Sequence, residues 1–251
     1  MVGEGVIILG GTSAVAEHYA RRLAARGARL LLVGRNAERL TPIAGDLLVR
    51  GAAFAETAVL DLAEPPAEGY QAAWNGLAER LGGTVDVVLL AYGVLGDQKA
   101  AETDPAETVR LLSSNMVSAC AWMTAASVSM EQQGAGSLVA ISSVAGDRGR
   151  QSNYIYGAGK GGLSVFMEGL AHRLAGTAIR VLTVKPGFID TPMTDGMAKG
   201  GPLWATADKV AADIDRAVGK GRVVLYTPWF WGPILFVVRH LPRAIFHRLK
   251  I

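Results

Sequence analysis

Three residues of this chain could move a proton if the fold brings them together: Ser143, Tyr156 and Lys160. Tyr156 and Lys160 are the ends of Tyr156-Gly157-Ala158-Gly159-Lys160, and Ser143 lies thirteen residues before the tyrosine. A phenol titrates near ~10 and alone is a poor base at neutral pH. If the pentapeptide is helical, positions i and i+4 share a face and the lysine ammonium lies beside the ring. A cation at about 4 Å contributes roughly 4 kcal/mol at an effective dielectric of about 20, which lowers the phenol pKa by about two to three. The spacing therefore predicts a tyrosine tuned towards general acid or base work. A surface tyrosine and a solvated lysine would show the same spacing, so the surrounding sequence has to decide.

A nucleotide partner is suggested by two further stretches. Gly10-Gly11-Thr12-Ser13-Ala14-Val15-Ala16 follows an apolar run and opens a helix-compatible segment. Backbone amides of such a turn and the positive end of the helix suit a pyrophosphate, with Gly10, Thr12, Ser13 and Val15 as candidate contacts. Ala14 and Ala16 stand where second and third glycines are expected, and an ordinary strand-to-helix turn is the plainer reading of the stretch alone. A second run ends in Gly34-Arg35-Asn36, where an NAD enzyme carries a carboxylate for the adenosine ribose. Arg35, with Asn36 beside it, instead suits a 2′-phosphate through charge-assisted pairing, so NADP(H) is expected in preference to NAD(H).

These candidates need elements that carry them to one place. Continuous apolar runs of strand length recur at 6–9, 30–33, 85–90, 138–141, 181–184 and 223–226, and such runs suit a parallel sheet covered on both faces. Between them, 14–26 reads as a first crossover helix ending at Gly27, and 105–133 as one long helix ending at Gly134. The Tyr156 motif falls on a further helix running to about Leu174. Strands alternating with helices predict a single α/β domain over 1–227, a Rossmann-type doubly wound parallel sheet flanked by helices on both faces. Ligands of that fold bind beyond the carboxyl ends of the strands, where every candidate above lies.

With the glycine turn, Asn115, Ser143, Tyr156 and Lys160 in order, the chain resembles the short-chain dehydrogenase/reductase family over roughly residues 5–227. The resemblance implies that Tyr156 gives a proton to a carbonyl oxygen during reduction while Ser143 hydrogen-bonds that oxygen. It implies that Lys160 lowers the tyrosine pKa and holds the nicotinamide ribose, and that Asn115 orients a water relaying protons to the lysine. Asp61 and Leu62 resemble an adenine-contacting pair. Pro186-Gly187-Phe188-Ile189-Asp190-Thr191 resembles the segment that binds the nicotinamide carboxamide, which brings in Pro186, Gly187, Ile189 and Thr191. Leu90-Ala91-Tyr92-Gly93 stands where the family has Asn-Asn-Ala-Gly, with Ala91 and Gly93 against the cofactor. Ser142 competes for the serine role, but neighbours at a strand end point to opposite faces.

Composition narrows the setting. Half of the 251 residues are apolar, and one cysteine, Cys120, leaves no internal disulfide and no metal-ligand spacing. The N-terminus enters its first apolar run without a basic, cleavable leader, so a cytoplasmic protein is expected. No acid follows Asp215, whereas Arg216, Lys220, Arg222, Arg239, Arg243, Arg248 and Lys250 do. The segment 228–251 opens with Pro228-Trp229-Phe230-Trp231 and an apolar stretch about half as long as the ~20 residues a bilayer span needs. Tryptophans beside apolar and basic residues suit a peripheral contact at the inner face of the membrane; the other reading is a subunit contact in a homodimer or homotetramer. The aromatics are clustered rather than interleaved with the basic residues, which argues against nucleic acid.

Within the family, the tail, Gly10-Gly11-Thr12-Ser13 and 91–98 are similar to the reductases of the decaprenylphosphoryl ribose epimerase group, which act on a 2-keto pentose carried on a polyprenyl phosphate. The sequence thus leads to an NADPH-dependent reductase of a keto sugar or other ketone. A nucleotide-sensing protein without turnover is the alternative, and the complete tetrad argues against it.

Overall fold

The computed structural model describes residues 3–197 and 199–249. Lys250 of the basic set lies outside them.

Strands that are apolar on both faces require cover on both faces, and the chain supplies it. β1 (Gly5–Leu9), β2 (Arg29–Gly34), β3 (Phe54–Val59), β4 (Val87–Leu90), β5 (Ala135–Ile141) and β6 (Ala178–Pro186) are joined by helical crossovers. They form one sheet with β9 (Val224–Thr227), in the order β3-β2-β1-β4-β5-β6-β9, every pair parallel. Alternate residues of β1 and β2 sort the core. Val6, Ile8, Leu30 and Leu32 pack under α1 (Ala14–Ala24), α2 (Ala37–Val49) and α8 (Ala207–Gly219). Ile7, Leu9, Leu31 and Val33 pack under α3 (Tyr70–Leu81), α6 (Ser118–Gln133) and α7 (Tyr154–Leu174). A small pair, β7 (Phe188–Asp190) with β8 (Trp204–Thr206), stands beyond the end of β6.

The expected runs all became strands, and one strand of the main sheet, like the short β7 and β8, had no such run. β3 is an edge strand whose residues alternate between buried and exposed, so it carries no continuous apolar stretch. The long helix expected at 105–133 is three segments that follow the short α4 (Gln98–Ala101): α5 (Pro105–Leu112), a π-helical stretch Ser113–Val117, and α6. Asn115 lies at the centre of the change. Its Nδ2 donates to Leu111 O at 3.0 Å, occupying the carbonyl four residues back, and the following turn widens to bond five residues back, Ser118 N to Ser113 O.

The C-terminal segment folds back on the body. In α9 (Trp231–His240), Trp231 and Leu235 are buried against Val144, just past Ser143. Arg148 grips the end of that helix: its Nη1 donates to the carbonyls of Val238, Arg239 (3.3 Å) and Leu241 (2.9 Å). Its guanidinium also lies 3.7 Å from the centre of the Phe246 ring in α10 (Arg243–Phe246). The opposite face, with Trp229, Phe236, Val237, Ile245 and Leu249, is exposed. Among the described residues no helix is long and apolar enough to cross a membrane.

Candidate active site

One cavity of ≈ 410 Å³ runs along the carboxyl ends of the strands. It collects Gly10, Thr12, Ser13, Val15, Arg35, Asp61, Leu62, Ala91, Gly93, Ser143, Tyr156, Lys160, Pro186, Gly187, Ile189 and Thr191, so nearly all the expected site residues share its wall. Asn36 and Asn115 do not line it. Asn36 caps α2, its Oδ1 accepting from Arg39 N at 3.0 Å, and Arg39 lines the cavity instead. Asn115 is buried just behind the wall.

The glycine end is shaped by backbone. Gly10 takes φ +98, and a Cβ there would meet the backbone of Tyr92; Gly10 N and Gly11 N both donate to Val33 O, at 2.9 and 3.0 Å. This fixes the turn so that α1 starts at the cavity with Ser13 as its N-cap, whose side chain makes no capping bond. The first-turn amides of a helix lack intrahelical acceptors, so an anion is accommodated here. At the end of β2, Arg35 faces Asp61 at 3.8 Å, with side chains 73 % and 45 % exposed. Tyr92, just after the Leu90-Ala91 that stand where the family carries a polar pair, donates to or accepts from Ser118 Oγ at 2.9 Å, and burial pushes its phenol pKa up.

The proton-handling end is a junction of β5, the π-helical stretch and α7. After Ile141 the two serines diverge. Ser142 Oγ turns inward and donates to Lys160 O at 2.8 Å, while Ser143 Oγ accepts from Ala145 N at 3.0 Å and faces the same cavity as Tyr156. α7 comes close enough because Gly161 meets Gly146, where a Cβ on either residue would press on the other's backbone. Lys160, 4 % exposed, donates from Nζ to Ile141 O at 2.9 Å. Asn115 is held by Val94, with Nδ2 to Val94 O at 2.8 Å and Val94 N to Oδ1 at 3.1 Å. A Cβ on Gly93 would lie 2.7 Å from Asn115 Oδ1 and 3.1 Å from Lys160 Nζ, so glycine keeps open the space between those two groups.

The electrostatics differ from the expected tuning. Burial pushes the Tyr156 phenol up to about 12, with the Ser143 hydroxyl opposing, and pulls the Lys160 ammonium down to about 8. The expected depression of the tyrosine is therefore corrected. The i+4 geometry puts Nζ 6.0 Å from the ring centre and against a carbonyl, and stripping water from both groups disfavours both charged forms. At neutral pH Tyr156 keeps its proton.

Arg39, Arg150 and Asn153, which the sequence did not single out, also line the wall, together with Val94, Leu95, Met193, Thr194 and Met197. Arg39 was legible as the residue one turn beyond Arg35; the others lie in irregular segments without a periodic signal.

The family model described as short chain dehydrogenase matches residues 4–200. An uncharacterized oxidoreductase of Mycobacterium tuberculosis is 41% identical over 244 residues, 97% of this chain and 96% of that protein. The 3-oxoacyl-[acyl-carrier-protein] reductase of Bos taurus is 32% identical, covering 92% of this chain and 94% of its own. Among solved structures, a variant of actinorhodin polyketide ketoreductase determined with NADPH superposes with a TM-score of 0.78 at 24% identity, over 89% of this chain and 95% of that one.

Proposed function

The chain belongs to the short-chain dehydrogenase/reductase family and is an oxidoreductase, and from that premise we propose that it reduces a ketone with NADPH, Tyr156 giving the proton. The observation that carries this reading is the junction of Ser143, Tyr156 and Lys160 at one end of a cavity whose other end carries Arg35 and Arg39. The residues fit the nucleotide: a backbone turn and helix start for the pyrophosphate, and two guanidiniums where a 2′-phosphate would lie. NADPH, when bound, supplies the hydride.

The protein supplies position and proton. Ser143, its oxygen already accepting from Ala145 N, is free to turn its hydrogen to the substrate carbonyl oxygen. Tyr156, held protonated by burial, gives that oxygen its proton as the alcohol forms. Lys160, anchored on Ile141 O, would hold the nicotinamide ribose, and Asn115, fixed at Val94, borders the gap through which a water would return the proton.

The substrate reading is a keto sugar, carried on a polyprenyl phosphate, met at the inner face of the membrane. Its support is the exposed face of the C-terminal segment, where Trp229, Phe236, Val237 and Ile245 stand among Arg239, Arg243 and Arg248 with no acid after Asp215. The same apolar face supports a second reading, contact with another copy in a homodimer or homotetramer. Following NADPH consumption across soluble ketones and a polyprenyl-linked keto pentose tests the activity, and turnover of none of them rejects it. Replacing Phe236 and Val237 by Asp separates the two readings of the tail: release from anionic liposomes supports the membrane, and dissociation of an oligomer supports the subunit contact.

A further inference from the structure

Two arginines flank Gly149, and the structure employs them in opposite ways. Arg148 is engaged with three carbonyls and a ring of the C-terminal segment. Arg150 lines the active-site cavity, yet among the described residues its side chain makes no hydrogen bond and no ion pair, and its Nε is buried without a partner. The nearest acid in sequence cannot serve it. Asp147 is taken by Lys185 Nζ on one oxygen at 2.6 Å and by the Tyr226 hydroxyl on the other at 2.6 Å.

Asn153 repeats the pattern. It is the N-cap of α7, a position where an Asn side chain ordinarily accepts from the helix, but it makes no capping bond, and its buried Oδ1 has no partner. Its backbone N bonds Arg150 O at 3.1 Å, so the two residues form one turn on the cavity wall. Both lie between Ser143 and Tyr156 in sequence, at the carbonyl end and not at the Arg35 end. Buried polar groups are normally satisfied, and exceptions of this kind in a pocket point to a ligand that satisfies them. The buried Nε of Arg150 calls for an acceptor, which an oxyanion supplies, and burial lowers the Arg150 pKa with the nearby Asp147 charge opposing.

We propose that Arg150 forms a substrate subsite for an oxyanion, so that the ketone reduced here carries a phosphate or a carboxylate close to its carbonyl, while Asn153 Oδ1 beside it accepts from a hydroxyl of the same substrate. Around this subsite the wall is apolar, with Val94, Leu95, Met193 and Met197, and the substrate's remaining arm is therefore greasy rather than polar. The inference rests on the ketone-reductase reading and narrows its substrate: a keto sugar joined to lipid through a phosphate fits, and a neutral ketone does not.

The test uses matched pairs. Dihydroxyacetone phosphate is set against dihydroxyacetone, levulinate against its methyl ester, and a pentulose on farnesyl phosphate against the neutral farnesyl glycoside. The wild type is expected to favour the anionic member, and Arg150→Gln to cut the anionic-to-neutral ratio of kcat/KM by about ten- to a hundredfold, the effect of losing a hydrogen bond to a charged group. Arg150→Lys should recover part of that ratio, which a purely structural role would not. Preference confined to the phosphate pairs identifies phosphate; preference in the levulinate pair as well identifies a general oxyanion site. Equal treatment of both members in every pair, or equal losses on both in Arg150→Gln, overturns the subsite and leaves the reductase reading intact. If no ketone is turned over, the reductase reading fails. Calorimetric titration of farnesyl phosphate into the NADP-loaded protein then decides the subsite alone: binding weakened by Arg150→Gln supports it, and binding that is absent or insensitive to the substitution overturns it.

Discussion

The two ends of the cavity hold their charged groups by opposite means. At the Arg35 end, a guanidinium and a carboxylate face each other across 3.8 Å in open solvent. At the Tyr156 end, Lys160, Ser143 and Asn115 are buried, and their polar atoms are fixed by Ile141, Ala145 and Val94. Charges in water are screened and tolerant of replacement, whereas a buried polar group without its partner costs about 1–3 kcal/mol or more. Recognition of the cofactor's far end should therefore be graded, and the chemistry should be nearly all-or-none.

The sharpest way to break that contrast is Tyr156→Phe. It is expected to lower kcat by about 10² to 10⁴ while NADPH affinity, measured by fluorescence titration, changes little. A modest loss would mean that another group supplies the proton. Next in size is Trp231→Ala. This indole is buried beside Gly187 and Val144, so its removal should cost about 3–5 kcal/mol of stability, read as a lowered urea midpoint. An unchanged midpoint would separate the C-terminal segment from the body after all.

The pH dependence follows from Lys160. Its folded pKa is depressed to about 8, so the ammonium is intact below that value and lost above it. If the charged form holds the nucleotide, kcat/KM for NADPH falls about tenfold per pH unit above about 8, well before Tyr156 can ionise. For stability the sign is opposite. The unfolded chain binds the extra proton between about 8 and 10.5, so the lysine's unfavourable burial is relieved as pH rises through that window. A limb near 10 or above would refute this assignment.

At the exposed end the effects shrink. Arg35→Ala should reduce the preference for NADPH over NADH by about tenfold, and less at high salt. Asp61→Asn should change NADPH affinity by no more than about threefold, because the pair it breaks is solvent-exposed. A large effect there would show that the two ends are not as different as their exposure implies.

Much of this was legible along the chain, and the residues show why. The apolar runs foretold the parallel sheet because covered strands must be apolar on both faces, and β3 escaped because an edge strand need not be. Ser143, Tyr156 and Lys160 were readable because a strand end and one helix face fix their separations in sequence. Asn115 was found by its place in the order, but the π-helical turn around it was not, since which carbonyl its amide reaches is not written in the spacing. Asn36 looked like a cofactor contact and is a helix cap. Arg150 and Asn153 gave no signal, because being unpartnered is a property of surroundings and not of spacing.

By itself, then, the sequence determined the fold class, the alternation of strand and helix and the candidate trio that the fold brings to one cavity wall, all properties of local periodicity and short separations. Only the tertiary structure decided how the trio is tuned, because desolvation depends on what covers a group, and here it raises the tyrosine and lowers the lysine. It also decided that half of an apolar, basic C-terminal segment is core. Residues nearly ninety apart, such as Val144 and Trp231, meet only when the sheet has closed.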